Sequence, residues 1–237
     1  MLFRSDELNL YRSGAVNIFA ADADREALVQ YVDRTTMTPN LNHEFLLPKS
    51  KKIPNLPKCI LINAIHAYLN ENNDAIVEDI KSRFEYPREG FDVILMNYAI
   101  HYLCYKKECV VALKRLVKEL LKPGGLFVFS CFDGDSILDD MNGEGGKELK
   151  LNSFNIKLID PPMKSDDDAV WAKMALPTID ASGYRAEPLV KAEYLDLLEM
   201  NAIEHYYPLE ECDVSHVENH EKVDDYLSYI HVYVMME

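Results

Sequence analysis

Positive charge is scarce in this sequence: its 237 residues include 25 Lys and Arg against 40 Asp and Glu, a formal net charge of −15. No basic tail or stripe offsets that balance, so gripping a long phosphate backbone by counterion release is excluded as a main activity, and duplex DNA binding with it. A single nucleotide or a short capped end is still an acceptable ligand. Long apolar runs are also missing. Nothing approaches the roughly eighteen residues of a membrane span, and no charged segment followed by an apolar core marks a secretory leader. The expectation from these features is a chain inside a cell and away from membranes. The five cysteines (Cys59, Cys104, Cys109, Cys131 and Cys212) include no C-x-x-C pair, which removes the zinc-knuckle and disulfide-framework readings. Seven histidines are scattered without an H-E-x-x-H or H-x-E pattern, so metal-assisted hydrolysis and deamination lack their ligands. The acidic run Asp166-Asp167-Asp168 reads as a solvated loop, and no metal is expected.

What is present is an ordinary globular composition, 48% hydrophobic and 27% charged, in which one sizeable domain is the default. The first half alternates strand-like and helix-like segments, the pattern of a mostly parallel sheet covered by helices. Strand-like stretches fall at residues 16–21 (VNIFAA) and 59–65, with helical stretches at 24–33 and 75–84 and a polar loop over 35–57. Residues 91–96 (FDVILM) form a continuous apolar run after Gly90, as expected of a central strand buried on both faces. Over 106–121 the apolar positions Val110, Leu113, Leu116, Val117, Leu120 and Leu121 make one stripe of an amphipathic helix. That helix should stop at Lys122-Pro123-Gly124-Gly125, and residues 126–132 (LFVFSCF) read as another buried strand. The following Asp133-Gly134-Asp135-Ser136 turn has side chains suited to capping a short helix.

The second half changes character. Residues 142–150 hold three of the nine glycines and read as a connection. Alternating segments at 154–159 and 183–190, a helix over 191–200 and a final strand over 228–235 suggest antiparallel strands added to the edge of the sheet. No repeat or long linker divides the chain. The expected organisation is a single domain over 1–237, with an α/β core over 1–141 and a substrate-side insertion and C-terminal strands over 142–237.

The sequence F-D-V-I-L-M-N-Y-A-I-H-Y, then a helix, then L-K-P-G-G-L-F-V-F resembles the S-adenosylmethionine-dependent methyltransferases, whose fold is a doubly wound, Rossmann-like α/β sheet. Within that superfamily, a strand ending of the type [Gln/Asn]-[Phe/Tyr]-x-x-His-Tyr is similar to that of mRNA cap guanine-N7 methyltransferases. The Phe132-Asp133-Gly134-Asp135 turn resembles the branch found in capping enzymes of large DNA viruses. The resemblance runs from about Asp6 to the C-terminus and is strongest over 91–137.

It implies S-adenosylmethionine as cofactor and a guanosine-capped RNA 5′ end as substrate. Other capping-enzyme domains or a stimulatory subunit are implied partners, and a viral source would put the chain in the cytoplasm, the particle or the viral factory. Asp22 would bind the cofactor ribose, since a carboxylate at a strand end accepts both hydroxyls; by itself, Asp22 or Asp24 could equally cap the next helix. Asn97 and Tyr98 would border the cofactor. Tyr98, His101 and Tyr102 would wall the guanine pocket, although His101 alone also fits a structural histidine and the two tyrosines fit a core. Glu187, in A-E-P-L-V, occupies the place of the glutamate that reads the guanine edge, or else is an exposed turn residue. Tyr229 would supply an aromatic lid, a position that simple alignment of the strand gives to Ile230. No acid or base catalyst is expected, because guanine N7 offers its own lone pair.

Two departures accompany the resemblance. The family's glycine-rich loop after its first strand has no counterpart, and residues 5–14 (SDELNLYRSG) resemble the helix that follows that loop. The expectation is a fold lacking its first strand, from either a fragment of a longer capping enzyme or a non-catalytic, methyltransferase-like binding or stimulatory module. No aspartate stands at residues 64–69, where the family's adenine-contacting acid would lie.

Overall fold

The computed structural model describes residues 19–22, 29, 58–61, 77–78, 81–82, 88–143, 146–150, 155–159, 169–175, 185–206 and 230–236. The predicted loop over 35–57, most of the 24–33 helix, positions 64–69, the acidic run at 166–168 and Tyr229 lie outside them. Two compact units divide at Glu85 and Tyr86.

In the first unit, β1 (Phe19–Asp22) and β2 (Lys58–Leu61) pair in parallel, with Phe19 opposite Lys58 and Asp22 opposite Leu61. Both overlap stretches expected to be strands, each extending one residue beyond the expected bound, at Asp22 and at Lys58. Val29, Val77, Glu78, Lys81 and Ser82 are helical, as the two predicted helices require.

The second unit is built around β3 (Phe91–Asn97) and β4 (Leu121–Phe132), which run parallel and are joined by α1 (Lys107–Leu120). Every residue of the predicted helical stripe is buried: Val110, Leu113, Leu116, Val117, Leu120 and Leu121. The helix packs on β4, so amphipathic spacing and tertiary burial agree. It ends at Leu120, and Leu121 already pairs with Phe91. Lys122 to Gly125 therefore does not separate helix from strand as expected. It is a bulge inside β4, which the pairing skips between Leu121 and Leu126. Gly90 makes this close approach possible: its φ is 101°, and a Cβ there would lie 2.5 Å from the Lys122 nitrogen.

The sheet order is β3-β4-β10-β9, where β9 is Asn201–Tyr206 and β10 is Ile230–Met236, both antiparallel. Among the described residues of this sheet β3 has one neighbour. Val93 is 49% exposed, which corrects the expectation of a strand buried on both faces, because one sheet face at this position is not covered by packed side chains.

After β4 comes α2 (Gly134–Gly143), then a separate antiparallel sheet of β5 (Glu148–Lys150), β6 (Asn155–Leu158), β7 (Trp171–Ala175) and β8 (Arg185–Pro188). Only β9 and β10 extend the main sheet, so the expectation that all the later strands join its edge is corrected for β5 to β8. The physical reason is a second core: Phe132, Ile137 and Met141 pack with Leu149, Ile156, Ala172, Met174 and Leu189. That apolar face of the small sheet is covered by α2, not by another strand. The predicted 191–200 helix is a short α3 (Ala192–Leu195) followed by a 3-10 turn, Asp196–Leu198, which packs on α1.

Candidate functional site

Where β3 ends, the chain turns sharply. Tyr98 adopts a left-handed backbone with φ 46°, and its N–H donates to the Ser130 carbonyl of β4 at 2.9 Å. A bulky residue in that region costs on the order of 1–3 kcal/mol, and such strain concentrates at functional sites. Beside it, the Ser130 hydroxyl donates to Asn97 Oδ1 at 3.3 Å. Ser130 is a buried polar residue within the apolar stretch 126–132 of β4; that lone polar residue in LFVFSCF is the signal by which it could have been singled out. The Tyr98 ring lies 5.8 Å from Phe132 and packs against the second core.

The turn continues as the 3-10 segment Ile100–Leu103, with Ile100 and Leu103 buried as anchors. Between them His101 and Tyr102 contact one another, ring centroids 4.1 Å apart and tilted by 47°. Tyr102 is exposed, whereas His101 is nearly enclosed. His101 Nε2 lies 3.2 Å from Glu187 Oε2, and each side chain keeps only 12% of its accessible surface. Glu187 reaches that point because β8 packs against the 3-10 turn, with Glu187 opposite Ala172 of β7. A carboxylate held beside an imidazole that itself packs on an aromatic ring can accept hydrogen bonds from a flat ligand with adjacent N–H donors.

The turn after β4 is built by Asp133. Its Oδ1 accepts the N–H groups of Asp135 (3.0 Å) and Ser136 (3.3 Å), and Oδ2 accepts the Ser136 hydroxyl (2.5 Å). This is the cap expected from the sequence.

Of the predicted site residues, Asn97, Tyr98, His101, Tyr102 and Glu187 belong to the second unit, and the structure brings His101 against both Tyr102 and Glu187. Asp22 closes β1 in the first unit. Tyr229 is outside the described residues, and its alternative, Ile230, opens β10 opposite Phe132. Among the described residues there is no group of three or more His, Cys, Asp or Glu side chains arranged to hold a metal ion.

Two cysteines flank the site without serving it. Cys104 donates to the Ile100 carbonyl at 3.5 Å, and burial pushes its thiol up to about 12, with Cys109 adding to the shift. Burial likewise raises the Cys131 thiol. Because the thiolate is the reactive form, Cys104 should hold about a thousandfold less of it than an ordinary thiol at pH 8. Iodoacetamide followed by peptide mapping should therefore label Cys104 and Cys131 only after unfolding; rapid labelling of the folded chain would contradict their enclosure.

The chain has the Rossmann-like α/β fold of S-adenosylmethionine-dependent methyltransferases. It superimposes on a protein from Pyrococcus horikoshii OT3 with a TM-score of 0.51 and 13% identity, over 97% of this chain and 75% of that one. A candidate S-adenosylmethionine-dependent methyltransferase from Listeria monocytogenes gives a TM-score of 0.50 at 10% identity, over 97% of this chain and 83% of its own. No family model matches the sequence. A shorter similarity links the chain to the mRNA-capping enzymes of African swine fever virus, among them those of the Pig/Kenya/KEN-50/1950 isolate and the Vero-adapted Badajoz 1971 strain. It is 33% identical over 78 residues, which are 33% of this chain but only 9% of the viral enzyme.

Proposed function

We propose that this chain methylates N7 of the guanosine cap at an RNA 5′ end, using S-adenosylmethionine, as one part of an intracellular mRNA-capping machinery. The observation that carries the reading is the enclosed approach of Glu187 to His101, with Tyr102 against the imidazole, at the end of a strand in a methyltransferase fold. The similarity to viral mRNA-capping enzymes supports the choice of substrate.

The strand ends suit a nucleoside donor. Ligands of doubly wound sheets bind outside the carboxyl ends of parallel strands. Asp22 is the last residue of β1, parallel to β2, and is assigned the ribose hydroxyls. Asn97 and Tyr98 stand at the end of β3, parallel to β4, and are assigned the border between cofactor and base. S-adenosylmethionine would supply an electrophilic methyl on a cationic sulfur, and the N7 lone pair accepts it without a proton being removed, so no general base is assigned.

The chain's own residues then align and stabilise. Glu187 accepts from the N1 and N2 donors of guanine, which distinguishes it from bases lacking them. The rings of Tyr98 and Tyr102 face the positive charge that methylation leaves on the purine. Tyr229 is assigned as a lid. Orientation of this kind is worth up to about 7–11 kcal/mol in favourable cases. With a net charge of −15, the chain is suited to a single cap nucleotide, and a firmer hold on RNA is assigned to other capping domains or a stimulatory subunit.

Calorimetry tests the reading. The chain should bind S-adenosylmethionine and, in a second titration, a cap dinucleotide, while Asp22→Ala should weaken the cofactor by at least about tenfold through loss of two hydrogen bonds to a charged acceptor. A folded chain that binds neither ligand would replace this reading with that of a non-catalytic subunit.

A further inference from the structure

We infer that the Asp133-Gly134-Asp135 turn is a clamp that sets the position of Glu187, making Gly134 and Asp135 positioning residues for guanine selectivity; the inference rests on the guanine-reading role proposed for Glu187. Two backbone hydrogen bonds and one side-chain hydrogen bond converge on the segment that follows Glu187. The Gly134 N–H donates to the Val190 carbonyl at 2.7 Å, and Asp133 and Val190 form a parallel bridge. Asp135 Oδ2 accepts the Ala192 N–H at 2.7 Å. From the other side, the Leu189 N–H donates to the Val170 carbonyl at 2.8 Å, and the Leu189 side chain is fully buried in the second core.

The approach at Gly134 is too close for any side chain. A Cβ there would lie 2.5 Å from the Val190 carbonyl oxygen and 2.9 Å from Leu189 Cβ. Between this contact and Glu187 stand only Leu189 and Pro188, and proline fixes its own φ and restricts the residue before it to extended backbone. A displacement at Leu189 and Val190 is therefore carried to Glu187 with little slack. What it disturbs is the 3.2 Å approach to His101.

The test compares a guanosine-capped dinucleotide with its inosine-capped counterpart, which lacks the 2-amino donor, by calorimetry on the full chain. The wild-type protein should prefer guanosine by roughly tenfold or more. Gly134→Ala should weaken the guanosine cap by about ten- to a hundredfold while changing the inosine cap far less, so that the preference collapses; misplacement by about 1 Å is enough for losses of that size. Asp135→Ala introduces no clash and removes only the tie to Ala192, so it keeps the inference testable if Gly134→Ala fails to fold. It should lower the preference by about threefold. Equal losses for both caps, or an unchanged preference in folded Asp135→Ala, would overturn the clamp. A wild-type protein that does not discriminate, with Glu187→Ala no different, would instead overturn the role of Glu187 itself.

Discussion

Replacing Glu187 by alanine should weaken binding of a guanosine cap analogue by about a hundredfold while leaving S-adenosylmethionine affinity within about twofold. The magnitude follows from the enclosure of the carboxylate, whose side chain is 12% exposed. Removing it leaves the two guanine donors facing no acceptor in a site sheltered from water, a loss of about 2–3 kcal/mol. Glu187→Gln should fall between the two, since the amide keeps one acceptor oxygen but turns a donor toward a donor. Fluorescence or calorimetric titration reads both ligands on one sample. A Glu187→Ala protein that holds the cap normally would show that the His101 and Glu187 pair is structural.

The largest effect on stability should come from Phe129→Ala, a loss of about 3–5 kcal/mol. Phe129 is fully buried in β4, its ring 4.9 Å from that of Tyr233 on β10 and 5.0 Å from that of Phe127. It thus joins the two strands that form the centre of the main sheet. Domains are stable by only about 5–15 kcal/mol, so truncation here removes a large share of the total. The urea midpoint should drop accordingly. Combining Phe129→Ala with Tyr233→Ala should cost less than the two single changes added together, by about 0.5–1.5 kcal/mol, the usual worth of an aromatic pair. A loss below about 1 kcal/mol for Phe129→Ala would contradict the packing described.

Much of this architecture is legible in the residues because local pattern and tertiary burial coincide. The stripe from Val110 to Leu120 is helical, and it is buried where the spacing says it should be. LFVFSCF is a strand for the same reason, whereas FDVILM is a strand without the two-sided burial its apolar run suggests. Legibility fails where a contact joins distant parts of the chain. The Pro-Gly-Gly sequence after Lys122 signals a break, but only its register against Phe91 and Val93 turns it into a bulge within β4. Apolar content alone could not tell that Val93 faces outward. The β5 to β8 strands could be recognised individually, yet their alternation does not say which sheet they join; the core they share with α2 decides that.

The site divides in the same way. Asn97, Tyr98, His101 and Tyr102 lie on one continuous motif, so their neighbourhood is set by sequence. The meeting of His101 with Glu187 depends on a separate sheet, and only family resemblance suggested it. The sequence marks Gly134 only as part of the Asp133-Gly134-Asp135 turn; that a Cβ there would lie 2.5 Å from the Val190 carbonyl oxygen depends on a contact with a distant segment. The left-handed backbone of Tyr98 was equally hidden, since nothing in N-Y-A-I-H-Y marks a positive φ.

The most direct measurement of the central claim is methyl transfer itself. The full chain would be incubated with S-adenosylmethionine labelled on its methyl group and a short guanosine-capped RNA, and the RNA then digested and its nucleosides separated. Label is expected in 7-methylguanosine released from the cap. Label on a ribose hydroxyl or an internal base, or none from a folded chain that binds both ligands, would contradict that claim.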